Sequence, residues 1–455
     1  MTVGHHLRHF AFIVLLVLEL AVQYRPGSIL KPYVGFVAFL AWLLSIPGAD
    51  KTSRRLALLL VAIGSVLFAA NKTSLVTAID SFGQNTNVLM IMVLVPLLGI
   101  VIDLGGYRQA LEEVSRSVRQ PVSLFFLAAF LVYAIGSVLL NAAIALVWAV
   151  LKPIVEKTGK DPGEFLVASL PRGYDASLLW TPSSPAMAVA LGITGASWPE
   201  VFLPGVALSA VILVCAALVE IGGPLLGRVE ETFDMSLPTP NPSNRSRRDI
   251  LILTVGLLSF IGAIVLAQSI GLSIYQALVP CIAITLFLWL SALGKVRDGL
   301  RLVMEHFTRK IPDMSSQFLL MTTAGFIGVA IRVAAGDGFA TLAGRMSSLG
   351  ATGFALVVSF LVWGISVVGV HPLIGMTIVY SLVLPASGGY SAPYVALVLL
   401  LGSALGFSVS PVSATILVTS ACAGCNSIEV GIKKHWKFAL VSWLAASLVL
   451  SLFSK

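Results

Sequence analysis

The 455-residue chain has little charge and few cysteines, and each shortage excludes a class of protein. Charged residues make up 11% of the chain and hydrophobic residues 57%, against about 25% and roughly 45–50% in ordinary globular proteins. With so little charge, a soluble protein of this length could not cover its surface. The same composition excludes a disordered chain and, despite a formal net charge of +8, a nucleic-acid-binding protein. It predicts an all-α integral membrane protein whose surroundings are the lipid bilayer.

Four cysteines cannot build a disulfide scaffold, and only Cys422 and Cys425 form a CxxC pair. No second CxxC or histidine pair completes a tetrahedral zinc site, so we predict no metal centre there. The sequence also lacks HExxH, GxSxG and P-loop motifs. The protein is therefore predicted not to be an enzyme, and to need no cofactor beyond a coupling Na⁺ or H⁺.

Nine apolar segments approach the length of about 20 residues that a bilayer-spanning helix needs. They lie near 10–24, 32–48, 55–71, 87–105, 199–226, 249–269, 272–294, 312–334 and 437–454. Residues 1–31 are interpreted as a retained first span, because no small-x-small cleavage site follows the apolar run. Two more apolar regions, 122–195 and 352–425, are rich in Pro, Gly, Ser, Thr and Asn at their centres. That pattern is typical of interrupted segments that line a transport site.

These two regions match each other. Asn141 precedes Thr181-Pro182-Ser183-Ser184-Pro185 by 40 residues, and His371 precedes Ser410-Pro411-Val412-Ser413 by 39. Pro182 and Pro411 are 229 residues apart. We therefore predict two repeats, each with a re-entrant hairpin followed by a discontinuous helix. The predicted boundaries are repeat 1 at 32–227 (hairpin 122–154, broken helix 164–195), a cytoplasmic linker at 228–248, and repeat 2 at 249–455 (hairpin 352–386, broken helix 391–425). An amphipathic stretch, 106–120 or 335–350, precedes each hairpin.

The distribution of positive charge supports this arrangement. With re-entrant hairpins, about eleven transmembrane helices remain, and 22 Lys and Arg residues fall in cytoplasmic loops against six outside, Arg332 among the six. Positive residues concentrate in cytoplasmic loops of membrane proteins. We therefore predict inverted repeats in a bacterial-type inner membrane, with a cytoplasmic N-terminus and a periplasmic C-terminus.

This pattern resembles the ion transporter superfamily, especially its divalent anion:sodium symporter branch. The resemblance rests on Leu139-Leu140-Asn141-Ala142-Ala143 with Trp180-Thr181-Pro182-Ser183-Ser184-Pro185, and on Val370-His371-Pro372-Leu373 with Ser410-Pro411-Val412-Ser413. It implies eleven spans in two inverted repeats, a small anionic substrate and a homodimer. The family's Ser-Asn-Thr signature at the hairpin tips, which coordinates sodium and substrate carboxylates, is incomplete. Only Asn141 remains of it in the first hairpin, and His371 stands in its place in the second.

Helix breaks inside a membrane leave unpaired backbone groups, and small hydroxyl side chains add oxygen ligands there. The predicted substrate- or ion-binding residues are Asn141, Thr181, Pro182, Ser183, Ser184, His371, Pro372, Ser410, Pro411, Ser413 and Thr415, with Na⁺ near Asn141, Thr181 and Ser410. The alternative is that the hydroxyls only bond to their own helices. Asn141 either caps a half-helix or binds substrate, and it can do both. His371 takes up a coupling proton, holds an anion, or is a neutral histidine bonded to a carbonyl.

Three other charged residues lie within predicted spans. Arg172 and Asp175, three residues apart on the helix that leads to Thr181, favour an internal ion pair over a place on an entry path. Glu19 favours a structural hydrogen bond or an interfacial position over ion coupling. Together these features predict a secondary active transporter of a small organic anion, coupled to Na⁺ or H⁺. An exporter or antiporter of another small polar solute, or an ion channel, is the alternative.

Overall fold

The computed structural model describes residues 3–25, 27–116, 118, 120–157, 160–221, 243–335, 346, 348–387 and 389–454. These residues form helices joined by short turns, and no strand occurs among them. Twelve of the described helical segments are long and apolar enough to cross a bilayer. The prediction of an all-α membrane protein is confirmed.

Seven helices precede the first predicted hairpin. They are α1 Val3–Tyr24, α2 Lys31–Ser45, α3 Lys51–Ala70, α4 Leu75–Asp80, α5 Thr86–Leu94, α6 Gly99–Gly105 and α7 Tyr107–Ser115. The Asp50 side chain caps α3 by accepting hydrogen bonds from the backbone of Thr52 and Ser53. Helices α5 and α6 form one apolar segment with a 3₁₀ turn at Val95–Leu98. Pro96, which has no N–H to donate, lies in that turn.

Five helices follow in the first half. They are α8 Pro121–Leu139, α9 Ala142–Lys157, α10 Pro162–Leu178, α11 Pro185–Thr194 and α12 Trp198–Leu218. Helices α8 and α9, here called the first helix pair, pack against each other and against α10. Of the predicted linker 228–248, only residues 243–248 lie within the described part, where Ser243 caps the next helix.

The second half contains α13 Asn244–Ser269, α14 Ile274–Ala292, α15 Val296–Glu305, α16 Ser315–Ala335, α17 Gly350–Val367, α18 Pro372–Ser387, α19 Ala392–Val409, α20 Ala414–Ala423 and α21 Lys434–Leu450. Helices α17 and α18 are the second helix pair. Most of the predicted amphipathic stretch 335–350 lies outside the described residues.

The same order of four helices occurs twice. Helices α17, α18, α19 and α20 begin 229 or 230 residues after α8, α9, α10 and α11, respectively. A matching contact also recurs. A side chain at Gly173 would collide with the Ala129 carbonyl oxygen, and one at Gly402, 229 residues later, would lie 2.6 Å from the Ser359 carbonyl oxygen. In both halves, glycine thus lets the broken helix touch the backbone of its helix pair. The opposite orientation of the two halves in a bilayer stays a prediction.

The interrupted helices occupy the centre of the bundle. Every residue of α10 from Phe165 to Leu178 is buried, as is every residue of α19 from Tyr394 to Val409. Helices α1, α3 and α13, in contrast, keep many apolar side chains exposed, as expected of helices that face lipid. The fold therefore places both helix breaks away from lipid.

Candidate transport site at the two helix breaks

Proline and serine define both breaks through local chemistry. The first break, residues 179–184, separates α10 from α11, and the second, residues 410–413, separates α19 from α20. The Ser184 hydroxyl caps α11 by accepting a hydrogen bond from the Ala186 N–H at 3.1 Å. The Ser413 hydroxyl caps α20 in the same way, accepting from the Ile416 N–H at 3.2 Å. These two predicted site residues therefore stabilise the N-terminal ends of α11 and α20.

The tip of the first helix pair contacts the second half of the chain. Leu140 has a φ of +53°, an unfavourable value for a residue with a branched side chain. Next to it, Asn141 Oδ1 accepts a hydrogen bond from the Thr415 hydroxyl at 2.8 Å. Asn141 and Thr415, both predicted site residues, thus join the first helix pair to the start of α20.

Each break also lies beside the tip of the helix pair in its own half. The Ser183 hydroxyl donates a hydrogen bond to the Ser137 carbonyl oxygen, near the end of α8, at 2.5 Å. In the second half, the rings of His371 and Phe407 are 5.7 Å apart. A Cβ on Gly406 would lie 3.3 Å from Pro372. The predicted tips and breaks are therefore neighbours in the fold.

His371 caps a helix in this structure. Its Nδ1 accepts a hydrogen bond from the Leu373 N–H at 3.3 Å. An accepting Nδ1 carries no proton, so this bond belongs to the neutral imidazole with its proton on Nε2. Uptake of a proton at Nδ1 would break the cap. The bond runs to an N–H and not to a carbonyl.

Two predicted site residues have hydroxyls with no hydrogen-bond partner. Thr181 Oγ1 and Ser410 Oγ, one in each break, are buried and unpaired among the described residues. An unsatisfied buried polar group costs about 1–3 kcal/mol. Folded proteins leave few such groups, and a bound ligand or water is one partner that such a group can have. Pro182 directly follows Thr181 in the sequence, and Pro411 directly follows Ser410.

The same region contains a buried carboxylate. Asp175 Oδ2 accepts a hydrogen bond from the Ser408 hydroxyl, whereas Oδ1 has no partner in the described part of the chain. Asp175 precedes Thr181 by six residues on α10, and Ser408 precedes Ser410 by two on α19. A carboxylate that joins the two broken helices beside both breaks can hold a proton or coordinate a cation.

The predicted Arg172–Asp175 ion pair is wrong. Arg172 pairs with Glu220 at 2.7 Å and donates to the Ala216 carbonyl oxygen at 2.8 Å. Its guanidinium lies 4.9 Å from the centre of the Phe438 ring. Because α10 is buried all round, the long guanidinium side chain finds partners on α12 and α21, not on its own helix. Arg172 therefore links α10 to α12 and α21.

Two other charged residues are placed by the structure. The Glu19 carboxylate accepts hydrogen bonds from Thr86 at 2.5 Å and Gln23 at 2.7 Å, in agreement with the structural hydrogen bond predicted for it. Arg332, assigned to an outer loop by the sequence, lies instead in the last turn of α16. A cation inside an apolar helix was the signal that the sequence interpretation missed.

Within the described residues, no cluster of three His, Cys, Asp or Glu side chains could hold a metal ion, and Cys422 and Cys425 are both free thiols. Protein hydroxyl, amide and carboxylate oxygens at the breaks are the ligands that Na⁺ would find there.

No protein-family model matches the sequence, and no curated protein sequence matches it either. Among the solved membrane proteins with a similar fold are two transporters. One is the YdaH transporter of Alcanivorax borkumensis, with a TM-score of 0.57 and 17% identity over 87% of this chain and 96% of that one. The other is MtrF of Neisseria gonorrhoeae, from a class of antimetabolite efflux pumps, with a TM-score of 0.53 and 14% identity over 79% of this chain and 80% of that one.

At these identities the likeness is one of fold. The apolar helices make the chain a multi-pass membrane protein, and its fold is similar to that of a transporter and of an efflux pump. The narrower resemblance to divalent anion:sodium symporters stays a prediction.

Proposed function

We propose that the protein is a secondary active transporter of a small organic anion, and that substrate and coupling ion bind between the two helix breaks. The observation that carries the proposal is the pair of buried, unpaired hydroxyls of Thr181 and Ser410. Each lies in one break, at the centre of the bundle. A ligand that accepts or donates a hydrogen bond there would remove a cost that the protein otherwise bears.

The helix starts around the site favour an anion. Helices α9 and α18 begin at the tips of the two helix pairs, and α11 and α20 begin at the breaks. The N-terminal end of a helix carries partial positive charge and free N–H groups. The Asn141–Thr415 hydrogen bond brings the starts of α9 and α20 together. A carboxylate between them would meet positive helix ends and hydroxyl donors.

Asp175 is our first candidate for the coupling site. In the proton-coupled form of the proposal, Asp175 takes up the proton beside Ser408, and His371 is the second candidate for this role. In the sodium-coupled form, the Asp175 carboxylate and the oxygens of Asn141, Thr181 and Ser410 supply hard oxygen ligands. Both forms use the Asp175 carboxylate, whose Oδ1 has no hydrogen-bond partner among the described residues.

The topology proposal follows from the helices. Two of the twelve apolar segments are α8 and α17, the first arms of the helix pairs. The segment α10–α11 is absent from the twelve because each of its two helices is too short, whereas α19–α20 is among them. If the pairs are re-entrant and the broken helix crosses, eleven crossings remain. We propose this arrangement in a bacterial-type inner membrane, with the N-terminus cytoplasmic, the C-terminus periplasmic and two copies forming a homodimer.

Export is the second candidate function. The similarity to MtrF, which belongs to a class of antimetabolite efflux pumps, favours outward movement of a small polar solute through the same site. An antiporter of this kind would use the inward proton or sodium gradient to drive export.

Transport by purified protein in proteoliposomes tests the proposal. The full-length chain is assayed with a panel of carboxylates, sulfonates and amino acids, while the Na⁺ and pH gradients are varied separately. We expect saturable transport of at least one organic anion, driven by one of the two gradients. Two results would contradict a secondary transporter. One is that no anion in the panel is transported. The other is a flux that does not saturate as the concentration of substrate or ion is raised.

Variants of the two candidate coupling residues refine this test. Asp175→Asn and His371→Gln each remove a titratable group and keep hydrogen bonding. We expect Asp175→Asn to abolish gradient-driven accumulation while substrate exchange without a gradient continues. If His371→Gln alone has this effect, the proton site is His371. Unchanged accumulation in both variants would show that neither residue carries the coupling ion.

A further inference from the structure

A polar cavity of about 210 Å³ has a described lining that includes no residue of either helix break. It is lined by the start of α5 and by α11, α16 and α18, so it lies between elements of both halves. Its polar lining consists of Gln84, Asn85, Asn87, Arg332, Thr377 and Tyr380. The volume is several times the roughly 30 Å³ that one water molecule occupies in the liquid. A small ligand with a few waters fits this space.

Arg332 gives the cavity a positive charge that has no counter-ion among the residues the structure describes. No Asp or Glu belongs to the described lining of the cavity. In the part of the chain that the structure describes, Arg332 forms no ion pair. Its Nη1 donates one hydrogen bond, to the Ser381 hydroxyl at 3.3 Å. Because ionisable groups inside spans are costly and are usually paired, this guanidinium needs a negative partner from elsewhere.

Asn85 supplies the second, independent observation. Its side chain is only 5% exposed, and its Nδ2 is buried with no hydrogen-bond partner among the described residues. Asn85 lines the same cavity as Arg332. A buried amide N–H₂ group donates hydrogen bonds, so its missing partner is an acceptor. The guanidinium and the amide therefore call for the same kind of ligand.

Two glycines explain how Arg332 reaches this position. Gly325 and Gly328 lie seven and four residues before it, on the same face of α16. A Cβ on Gly325 would lie 2.8 Å from the Ser81 carbonyl oxygen, and one on Gly328 would lie 2.7 Å from Thr377 Cγ2. Both distances are too short for real side chains. The glycines thus let α16 approach the start of α5 and α18 closely, which places Arg332 between them.

We propose that this cavity is a second anion-binding site, which takes a small carboxylate on Arg332 and Asn85. Guanidinium groups bind carboxylates through two parallel hydrogen bonds, and the Asn85 amide supplies a further donor. An occupied site would connect α5 and α16 to α11 and α18. The idea that the carboxylate here is the transported substrate rests on the proposed function, whereas the binding site itself does not.

Ligand binding to the purified full-length protein in detergent tests this proposal without transport. Acetate is titrated against chloride at constant ionic strength, and thermal unfolding is followed, because a ligand that binds the folded state raises the unfolding temperature. We expect saturable stabilisation by acetate for the wild type. Arg332→Gln and the nearly isosteric Asn85→Asp should weaken the apparent affinity at least tenfold. Arg25→Gln, which removes the same charge from an exposed arginine that does not line the cavity, should bind acetate as the wild type does.

Several outcomes would overturn the inference. Wild-type acetate binding by both Arg332→Gln and Asn85→Asp would show that the anion binds elsewhere, and equal stabilisation by chloride would exclude a carboxylate site. Asn85→Asp keeps the test valid if Arg332→Gln fails to fold, which size-exclusion chromatography detects. The double variant Thr181→Val/Ser410→Ala separates the two proposals, since it should lose transport and keep acetate binding. Loss of acetate binding in that variant would place the anion at the breaks and contradict the second site. Persistent binding in a wild-type protein that transports no anion would refute the proposed function alone.

Discussion

Removing the hydroxyl of Ser410 or Thr181 should weaken transport without weakening the fold. Both hydroxyls are buried and have no hydrogen-bond partner among the described residues, so Ser410→Ala and Thr181→Val remove a group whose burial costs about 1–3 kcal/mol. We expect unchanged or slightly higher thermal stability. If each hydroxyl bonds to a charged ligand group, its loss costs about 1.5–3 kcal/mol of binding free energy. At about 1.4 kcal/mol per factor of ten, apparent affinity should fall roughly 10- to 150-fold.

Ser183→Ala is the matched control in the same break. Its hydroxyl donates to the Ser137 carbonyl oxygen at 2.5 Å, so the variant leaves a buried acceptor unpaired. We expect it to lose about 1 kcal/mol of stability and to change substrate affinity less than Ser410→Ala does. The assays are thermal unfolding in detergent and KM for uptake into proteoliposomes. The reasoning is refuted if Ser410→Ala and Thr181→Val destabilise the protein as Ser183→Ala does while KM stays at the wild-type value.

Three further predictions concern the breaks, the topology and the cap of α3. Pro182→Ala and Pro411→Ala allow a more continuous helix, so we expect normal membrane insertion but a large loss of transport. Unchanged transport rates in both variants would contradict the assignment of the helix breaks as the transport site. The topology is tested with single cysteines in a variant that lacks the native cysteines. A membrane-impermeant reagent should label a cysteine that replaces Arg245 only from the cytoplasm, and a cysteine that replaces Gly389 only from outside. Labelling of both positions from the same side would exclude inverted repeats. Burial raises the pKa of Asp50, but hydrogen bonds from Ser53, Ser316 and Thr52 outweigh it and hold the pKa below its usual value. The stability this gives is present above the ordinary aspartate pKa and lost as pH falls through the lower one. Thermal unfolding should therefore show a larger loss in acid for the wild type than for Asp50→Asn, and equal losses would contradict the assignment.

Several helix starts could be located from the sequence because prolines act locally. Pro121, Pro162, Pro185 and Pro372 stand at or next to a helix start, where the missing N–H costs nothing. The repeated spacing of Pro182 and Pro411 likewise predicted two breaks at equivalent positions, and the structure has both. These features depend only on neighbouring residues, so the sequence alone suffices to locate them.

The partners of the site residues could not be predicted in the same way. Asn141 and Thr415 are 274 residues apart, and the contact between them depends on how the two halves pack. The spacing of Arg172 and Asp175 suggested an ion pair on one helix face. In the structure, Arg172 instead pairs with Glu220, just after α12, and Asp175 accepts a hydrogen bond from Ser408 on α19. Arg332 was counted among the outside charges although the predicted apolar segment 312–334 contains it, and the cavity beside it is formed by helices that are distant in the sequence. Long-range packing decided each case.

The glycine contacts of the broken helices limit how the protein can move. At Gly173 and at Gly402, the main chain of the broken helix touches the main chain of the neighbouring helix, with no side chain between them to change rotamer. Sliding or tilting at such a contact would force peptide groups into one another. We therefore expect α8 to move together with α10, and α17 together with α19. In the transporter that we propose, the displacement that exposes the central site first to one side of the membrane and then to the other would occur along the outer surfaces of these two units, where flexible side chains separate them from their neighbours.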